Sequence, residues 1–173
     1  MPNRKFEIIS KYKNAGLTLP TRSTQFSAGY DFTAAEDKAV PSIWNYVKKF
    51  DLRGYTDEEK LDFLKYAAKP TLVSTGIKAS MPAGNALFLY NRSSNPLKRG
   101  LILANGVGVV DSDYYNNPDN EGEIFAQFLN VGTHDYKIKK GDKILQGIFQ
   151  NYLLVENDQA HDKRLGGFGS TGK

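Results

Sequence analysis

The sequence contains no cysteine and only two histidines, His134 and His161. Without thiols there is no disulfide framework, no thiolate zinc site, no Fe–S cluster and no cysteine nucleophile. Two histidines argue against a multi-histidine metal centre, and a histidine-activated nucleophile would depend on one of them. No apolar run approaches the ~18–20 residues that cross a bilayer. The first residues, MPNRKFEIISKYKN, lack the apolar core and small-residue cleavage site of a signal peptide. These absences point to a cytoplasmic chain without membrane association, whose chemistry rests on carboxylates, amides and backbone groups. Charge of one sign is also scarce: a net +4 falls short of the dense basic stripe of a duplex-binding protein. Direct nucleic-acid binding is therefore not expected, and a small anionic ligand suits the charge.

What is present is an ordinary globular balance, 40% hydrophobic and 24% charged over 173 residues, so a single domain spanning 1–173 is expected. Short β-prone runs separated by Gly, Pro, Asn and Asp dominate: FEII near the start, Val73 to Lys78, Leu87 to Tyr90, Leu101 to Leu103, Ile124 to Leu129, Ile144 to Phe149 and Tyr152 to Val155. Strands at this spacing predict a mainly β sandwich or barrel. Residues 41–69 break the pattern. Ile43, Tyr46, Val47 and Phe50 recur at helical spacing, Thr56 with Glu59 forms a capping-box signature, Leu61, Leu64 and Ala68 make an apolar stripe, and Pro70 ends it. Two short helices joined around Arg53-Gly54 are predicted, either packing over a sheet or offering a partner surface.

Five segments could carry chemistry, the first of them SAGYDF (27–32). In NGVGVVDSDYY (105–115), Asn105-Gly106 is a hairpin-turn dipeptide, and Gly108 permits close approach of a ligand to the backbone. Strand alternation would place Asp111 and Asp113 on one face. An apolar-flanked carboxylate can act as general base, because desolvation raises its proton affinity. The pair could equally bond local amides or ligate a metal. NRSSNPLKRG (91–100) holds three cations and no acid, with Ser93 and Ser94 beside Arg92, and reads as a phosphate cradle or a polar turn. In KKGDKILQGIF (139–149), Gly141-Asp142 reads as a hairpin turn, and Gln146 interrupts an apolar strand, either satisfied by backbone or orienting a water. The tail KRLGGFGSTGK (163–173) would fray, or would close Phe168 over a flat ring as a mobile arm.

In chain order the segments resemble the five motifs of the trimeric dUTPase (dUTP diphosphatase) family: AGYD (28–31), RSSNPLKRG (92–100), NGVGVVDSDY (105–114), GDKILQ (141–146) and GGFGSTG (166–172). The resemblance implies an antiparallel jelly-roll, or β-clip, carrying the short two-helix insertion, assembled as a homotrimer with active sites shared between subunits. It further implies hydrolysis of dUTP to dUMP and pyrophosphate, a step in nucleotide metabolism that uses Mg²⁺. By the same resemblance Asp111 is the base for the water attacking the α-phosphate. Asn105 and the backbone of Gly108, Val109 and Val110 read uracil, and Tyr114 packs on the deoxyribose and excludes a 2′-hydroxyl. Arg92, Ser93 and Ser94 hold phosphates, while Asp31 and Gln146 order the water and metal surroundings. Phe168 stacks on uracil within the arm that includes Gly169, Ser170 and Thr171, with Lys163 or Arg164 as the phosphate clamp. Mg²⁺ is expected on substrate phosphates and waters rather than on protein ligands.

The chain departs from the family pattern at Ser94, usually glycine, at Asn91, usually proline, and in the extra loop YNNPDNE at 115–121. A dCTP deaminase-like enzyme is the nearest alternative. The strand that would supply its glutamate, IFAQFLN at 124–130, has none. A phage-type dUTPase that also binds a regulatory protein would use 41–69 or 115–121.

Overall fold

The apolar runs become strands because their side chains alternate between a shared interior and the surface, as in FAQFLN, where every second residue is buried. The structure is a computed structural model that describes residues 4–45, 53–67 and 69–160. Its elements in chain order are β1 (Lys5–Ile8), β2 (Thr21–Arg22), β3 (Tyr30–Thr33), β4 (Lys38–Val40), helix α1 (Asp57–Ala67), β5 (Thr71–Ser74) and β6 (Ile77–Ser80). They continue with β7 (Asn85–Asn91), β8 (Leu101–Leu103), β9 (Gly108–Asp111), β10 (Phe125–Asn130), β11 (Tyr136–Ile138) and β12 (Lys143–Asn151). A five-stranded sheet, β2-β3-β12-β7-β9, is accompanied by a three-stranded sheet, β5-β10-β8, and by the pairs β1-β6 and β4-β11. All of these ladders are antiparallel. One core joins the sheets: Phe32, Val40, Val73, Ile77, Leu87, Leu101, Val110, Phe128, Ile138, Ile144 and Leu145 pack together. This is the mainly β, antiparallel architecture the sequence predicts.

Several local expectations are corrected. The run from Val73 to Lys78 is two strands, because Gly76 turns the chain at φ 67, and β5 and β6 enter different sheets. A Cβ at Gly76 would lie 2.5 Å from Leu17 and 2.9 Å from Tyr12, so a side chain is excluded by packing as well. Residues 152–155 form no strand; Leu153 is 96% exposed and Leu154 and Val155 project into solvent beside it. Asn105-Gly106 and Gly141-Asp142 are tight turns, but each joins strands of different sheets rather than a two-stranded hairpin. The second helix of the insertion forms with its capping box intact: Thr56 N donates to Glu59 Oε2 at 2.7 Å and Glu59 N donates to Thr56 Oγ1 at 3.3 Å. Of its stripe, Leu61 is 58% exposed. Of the first helix only its opening at 44–45 is described, and Tyr46, Val47 and Phe50, like Ala68, lie outside the described residues.

Candidate active site

A bulge at the start of β12 builds the most ordered polar cluster. In a regular strand Lys143 and Gln146, three apart, would point to opposite faces. The register against β3 slips between Lys143 and Leu145, inserting one extra residue, so both side chains reach Asp31. Lys143 Nζ donates to Asp31 Oδ2 at 2.8 Å, Ser23 Oγ donates to the same oxygen at 2.8 Å, and Gln146 Nε2 approaches Oδ1 at 3.4 Å. Arg92, two residues beyond the Tyr90 that pairs with Gln146, places its Nε 3.2 Å from Asp31 Oδ1. That N–H is not aimed along a hydrogen bond, so the contact is a charge pairing.

Asp31 is only 4% exposed. Burial by itself would push its carboxyl up, but the hydrogen bonds from Lys143 and Ser23, the Arg92 charge and the Gln146 amide outweigh it and hold the group below the ordinary aspartate value. Two cations against one carboxylate leave the cluster net positive, which suits phosphate oxygens. Lys143 and Ser23 are members that sequence reasoning missed. Their parity and loop positions gave no signal, and only knowledge of the bulge could have found Lys143.

The segment after β7 is a single helical turn, Asn95–Arg99, rather than an irregular loop. Buried Asn95 anchors it, donating to Asn91 Oδ1 at 2.7 Å and to Ile144 O at 2.8 Å. Arg99 Nη1 donates to Lys143 O at 3.1 Å, and Arg92 Nη1 approaches the same carbonyl at 3.4 Å. Ser94 adopts φ −72 and ψ −21, a right-handed conformation open to any residue, so the absent glycine costs nothing here. Asn91 occupies a ladder position opposite Leu145 and donates to Leu101 O at 3.0 Å, a bond that proline could not make. Ser93 is exposed beside Arg92.

The other candidate residues gather elsewhere. Asn105 is exposed in the turn before β9, Gly108 and Val110 face inward, and Val109 faces outward. A Cβ on Gly108 would meet Leu89 at 3.2 Å and the Asn105 amide at 3.4 Å, so glycine there serves packing as well as access. Asp111, half-buried, ends β9 opposite Ala86. Asp113 does not share its strand face, because Ser112–Tyr114 leave the strand as a 3₁₀ turn. Tyr114 is 9% exposed, and its hydroxyl donates to Glu123 O at 3.1 Å.

Asp31 and Asp111 lie on the same face of the five-stranded sheet, three strands apart and level with Tyr90 and Ala86 respectively. Strand spacing and rise put them roughly 20 Å apart within one chain. The cluster at Asp31 and the carboxylate at Asp111 are thus not brought together by this fold alone. Lys163, Arg164, Phe168, Gly169, Ser170 and Thr171 lie outside the described residues.

Among the described residues no three His, Cys, Asp or Glu side chains gather as a metal cage. Both Asp31 oxygens are taken by protein groups. This donor set fits a hydrated Mg²⁺ carried by phosphates and does not fit an all-protein site.

Comparison with known proteins decides the family. The family model described as dUTPase matches residues 59–172. The chain belongs to the dUTPase family. It is similar to the deoxyuridine 5'-triphosphate nucleotidohydrolase of Lactococcus lactis subsp. lactis, 45% identical over 174 residues and covering 99% of each chain. The corresponding Desulfitobacterium hafniense dUTPase is 40% identical over 179 residues, again with 99% of each covered. The crystal structure of a dUTPase from Streptococcus mutans superposes with a TM-score of 0.70 at 39% identity, covering 88% of this chain and 98% of that one. The dUTPase of Staphylococcus aureus phage phi11, described for its species-specific insert, shares the dUTPase fold with a TM-score of 0.64 at 17% identity, covering 92% and 97%.

Proposed function

We propose that this chain hydrolyses dUTP to dUMP and pyrophosphate at sites completed by a second copy, with Asp111 as the base. The family match over nearly the whole chain, with all five motif positions in order, carries the reading. A water oxygen attacks the α-phosphorus, its proton passes to Asp111, and the bond to the β-bridging oxygen breaks to release pyrophosphate. Arg92 and Ser93, with Ser94 opening the 95–99 turn, bind the phosphates. Asp31 holds Arg92 and Lys143 in place, and Gln146, whose amide nitrogen is turned to Asp31, presents its oxygen to ordered water. Mg²⁺, which the family uses, neutralises charge on the departing pyrophosphate when bound to the substrate. Asn105 and the β9 backbone read the base, and a site built to pair with its polar edge rejects other bases by leaving buried groups unpaired.

The homotrimer implied by the family supplies what one chain lacks. The separation of Asp111 from the Asp31 cluster supports sites shared between subunits, and the uncovered apolar run at 153–155 supports a neighbouring copy against it. The arm at 163–173, with Lys163 or Arg164 as clamp and Phe168 over the base, closes the site. Exposed Tyr55 and Leu61 on the 41–69 insertion form the better surface for a regulatory protein. The 115–121 loop engages its asparagines with Tyr114 and with one another, and its rim with Glu7, Ser10 and Lys78. No helix among the described residues is long and apolar enough to cross a membrane.

The test is turnover of the purified protein with Mg²⁺ against dUTP, dCTP, dTTP, dATP, dGTP and UTP. Pyrophosphate and dUMP should appear from dUTP at a rate far above the others. Equal turnover of several triphosphates, or a uracil product from dCTP, would contradict the assignment.

A further inference from the structure

The loop at 115–122 departs from the family pattern, yet its interactions converge on one residue, Tyr114. The chain doubles back on itself: Asn116 N donates to Glu121 O at 3.0 Å and Glu121 N donates to Asn117 O at 3.0 Å. Asn116 and Glu121 both take left-handed conformations, φ 58 and 59, which non-glycine residues adopt at a cost. Gly122 follows at φ 81, and a Cβ there would sit 2.5 Å from Tyr114 O. The loop therefore closes as tightly on Tyr114 as a backbone can.

Its amide side chains turn inward to the same residue. Asn120 Nδ2 donates to the Tyr114 hydroxyl at 2.9 Å, while that hydroxyl donates to Glu123 O at 3.1 Å. Asn117 Nδ2 donates to Tyr114 O at 3.1 Å and to Asn120 Oδ1 at 2.8 Å, and Asn120 Oδ1 also accepts from Gly122 N at 3.0 Å. Tyr114 is held at its phenol by one asparagine and at its carbonyl by the other.

The outer rim is fastened to the β1-β6 pair. Lys78 Nζ donates to Asn116 Oδ1 at 2.6 Å and lies 3.4 Å from Glu121 Oε2. Ser10 donates to the Glu121 carboxylate from its N–H at 3.2 Å and its hydroxyl at 3.0 Å, and the Tyr115 hydroxyl donates to Glu7.

We infer that Asn120 is a positioning residue that fixes the Tyr114 ring and thereby sets the selectivity of the site for a 2′-deoxyribose over a ribose. This rests on the proposed dUTP hydrolysis and on the role the family resemblance gives Tyr114, packing against the sugar and excluding a 2′-hydroxyl; what is new is the part of Asn120. A wall rejects one added hydroxyl only if it cannot yield. An apolar surface free to give way discriminates against such a group weakly, and a displacement of ~1 Å is enough to lose it. The donor from Asn120 removes that freedom, and the strained loop and its β1-β6 fastening remove the freedom of Asn120.

The experiment measures kcat/KM for dUTP and for UTP in wild type, Asn120→Asp, Asn120→Ala and Tyr114→Phe. Asn120→Asp keeps the acceptor used by Gly122 and Asn117 but turns the donor to the phenol into an acceptor, which the phenol O–H can meet only by giving up Glu123 O. Its dUTP-to-UTP ratio should fall by about tenfold or more, chiefly through faster UTP turnover, with the melting temperature and assembly near those of wild type. Tyr114→Phe should show the same fall, and adding Asn120→Ala to it should cause little further loss. An unchanged ratio in the Asn120 variants, with wild type active on dUTP, overturns the inference while leaving the proposed function standing. If the Asn120 variants fail to fold, an unchanged ratio in Tyr114→Phe overturns it equally. A wild type inactive on dUTP overturns the proposed function and this inference with it.

Discussion

Two buried carboxylates, Asp31 and Glu123, are opposed in their electrostatics. Asp31 is held ionised by its cations, whereas burial pushes the Glu123 carboxyl up in spite of hydrogen bonds from Ser74 Oγ and Gly76 N. A carboxyl whose folded value is raised binds its proton more tightly when folded. Its contribution to stability is therefore fully present below the ordinary glutamate value and is lost as pH rises through the raised one. Glu123→Gln, which keeps the acceptor for Ser74 and Gly76, should melt close to wild type near pH 4 and several degrees higher at pH 8. Thermal melts across that range check the sign, and a variant less stable at pH 8 than at pH 4 relative to wild type would contradict it. Asp31, its folded value lowered, has the reverse dependence, and its support of Arg92 weakens only as acid protonates it. Asp31, Gln146 and Asp111 stand out as candidates in the sequence because their motifs are intact there. Lys143 does not, since its reach to Asp31 depends on a slip of register that no residue type announces.

At the scale of elements, local chemistry was readable where it is self-contained. Thr56 and Glu59 specify a helix start by their own hydrogen bonds, and the helix is there. Thr56→Ala removes the cap and should weaken α1 by about 1 kcal/mol. Amide exchange across 57–67 should then quicken while dUTP turnover stays within twofold of wild type, because no proposed site residue lies on the helix. A large loss of turnover would place the insertion in the catalytic machinery. Pairing between strands was less readable. Val73 to Lys78 reads as one strand until Gly76 is known to turn, and Tyr152 to Val155 has strand-forming residues that, beyond the Tyr152 N–H bonded to Gly84 O, join no strand among the described residues. Composition reports β propensity, but tertiary neighbours decide whether a ladder forms. The tight turns at Asn105-Gly106 and Gly141-Asp142 were correctly placed, yet a turn dipeptide cannot say which sheet receives the next strand.

On the scale of the whole molecule, the mainly β architecture followed from the spacing of apolar runs, and its antiparallel form and the family from five motifs in order. The distance between the Asp31 cluster and Asp111 could not be read in one dimension, because it arises from their places three strands apart in a sheet. On the proposed reading that distance makes assembly part of the mechanism. Each Asp111 then works with the Arg92 of another copy, and the two halves of a site can be disabled separately. The most direct measurement is subunit complementation. Asp111→Asn and Arg92→Ala are each purified, shown to release little pyrophosphate from dUTP, and then mixed under conditions that reassort subunits. Shared sites predict activity well above the sum of the two parents, from sites pairing an intact Asp111 with an intact Arg92. Activity no greater than that sum after demonstrated reassortment would mean that each chain carries its own complete site, and would contradict the account.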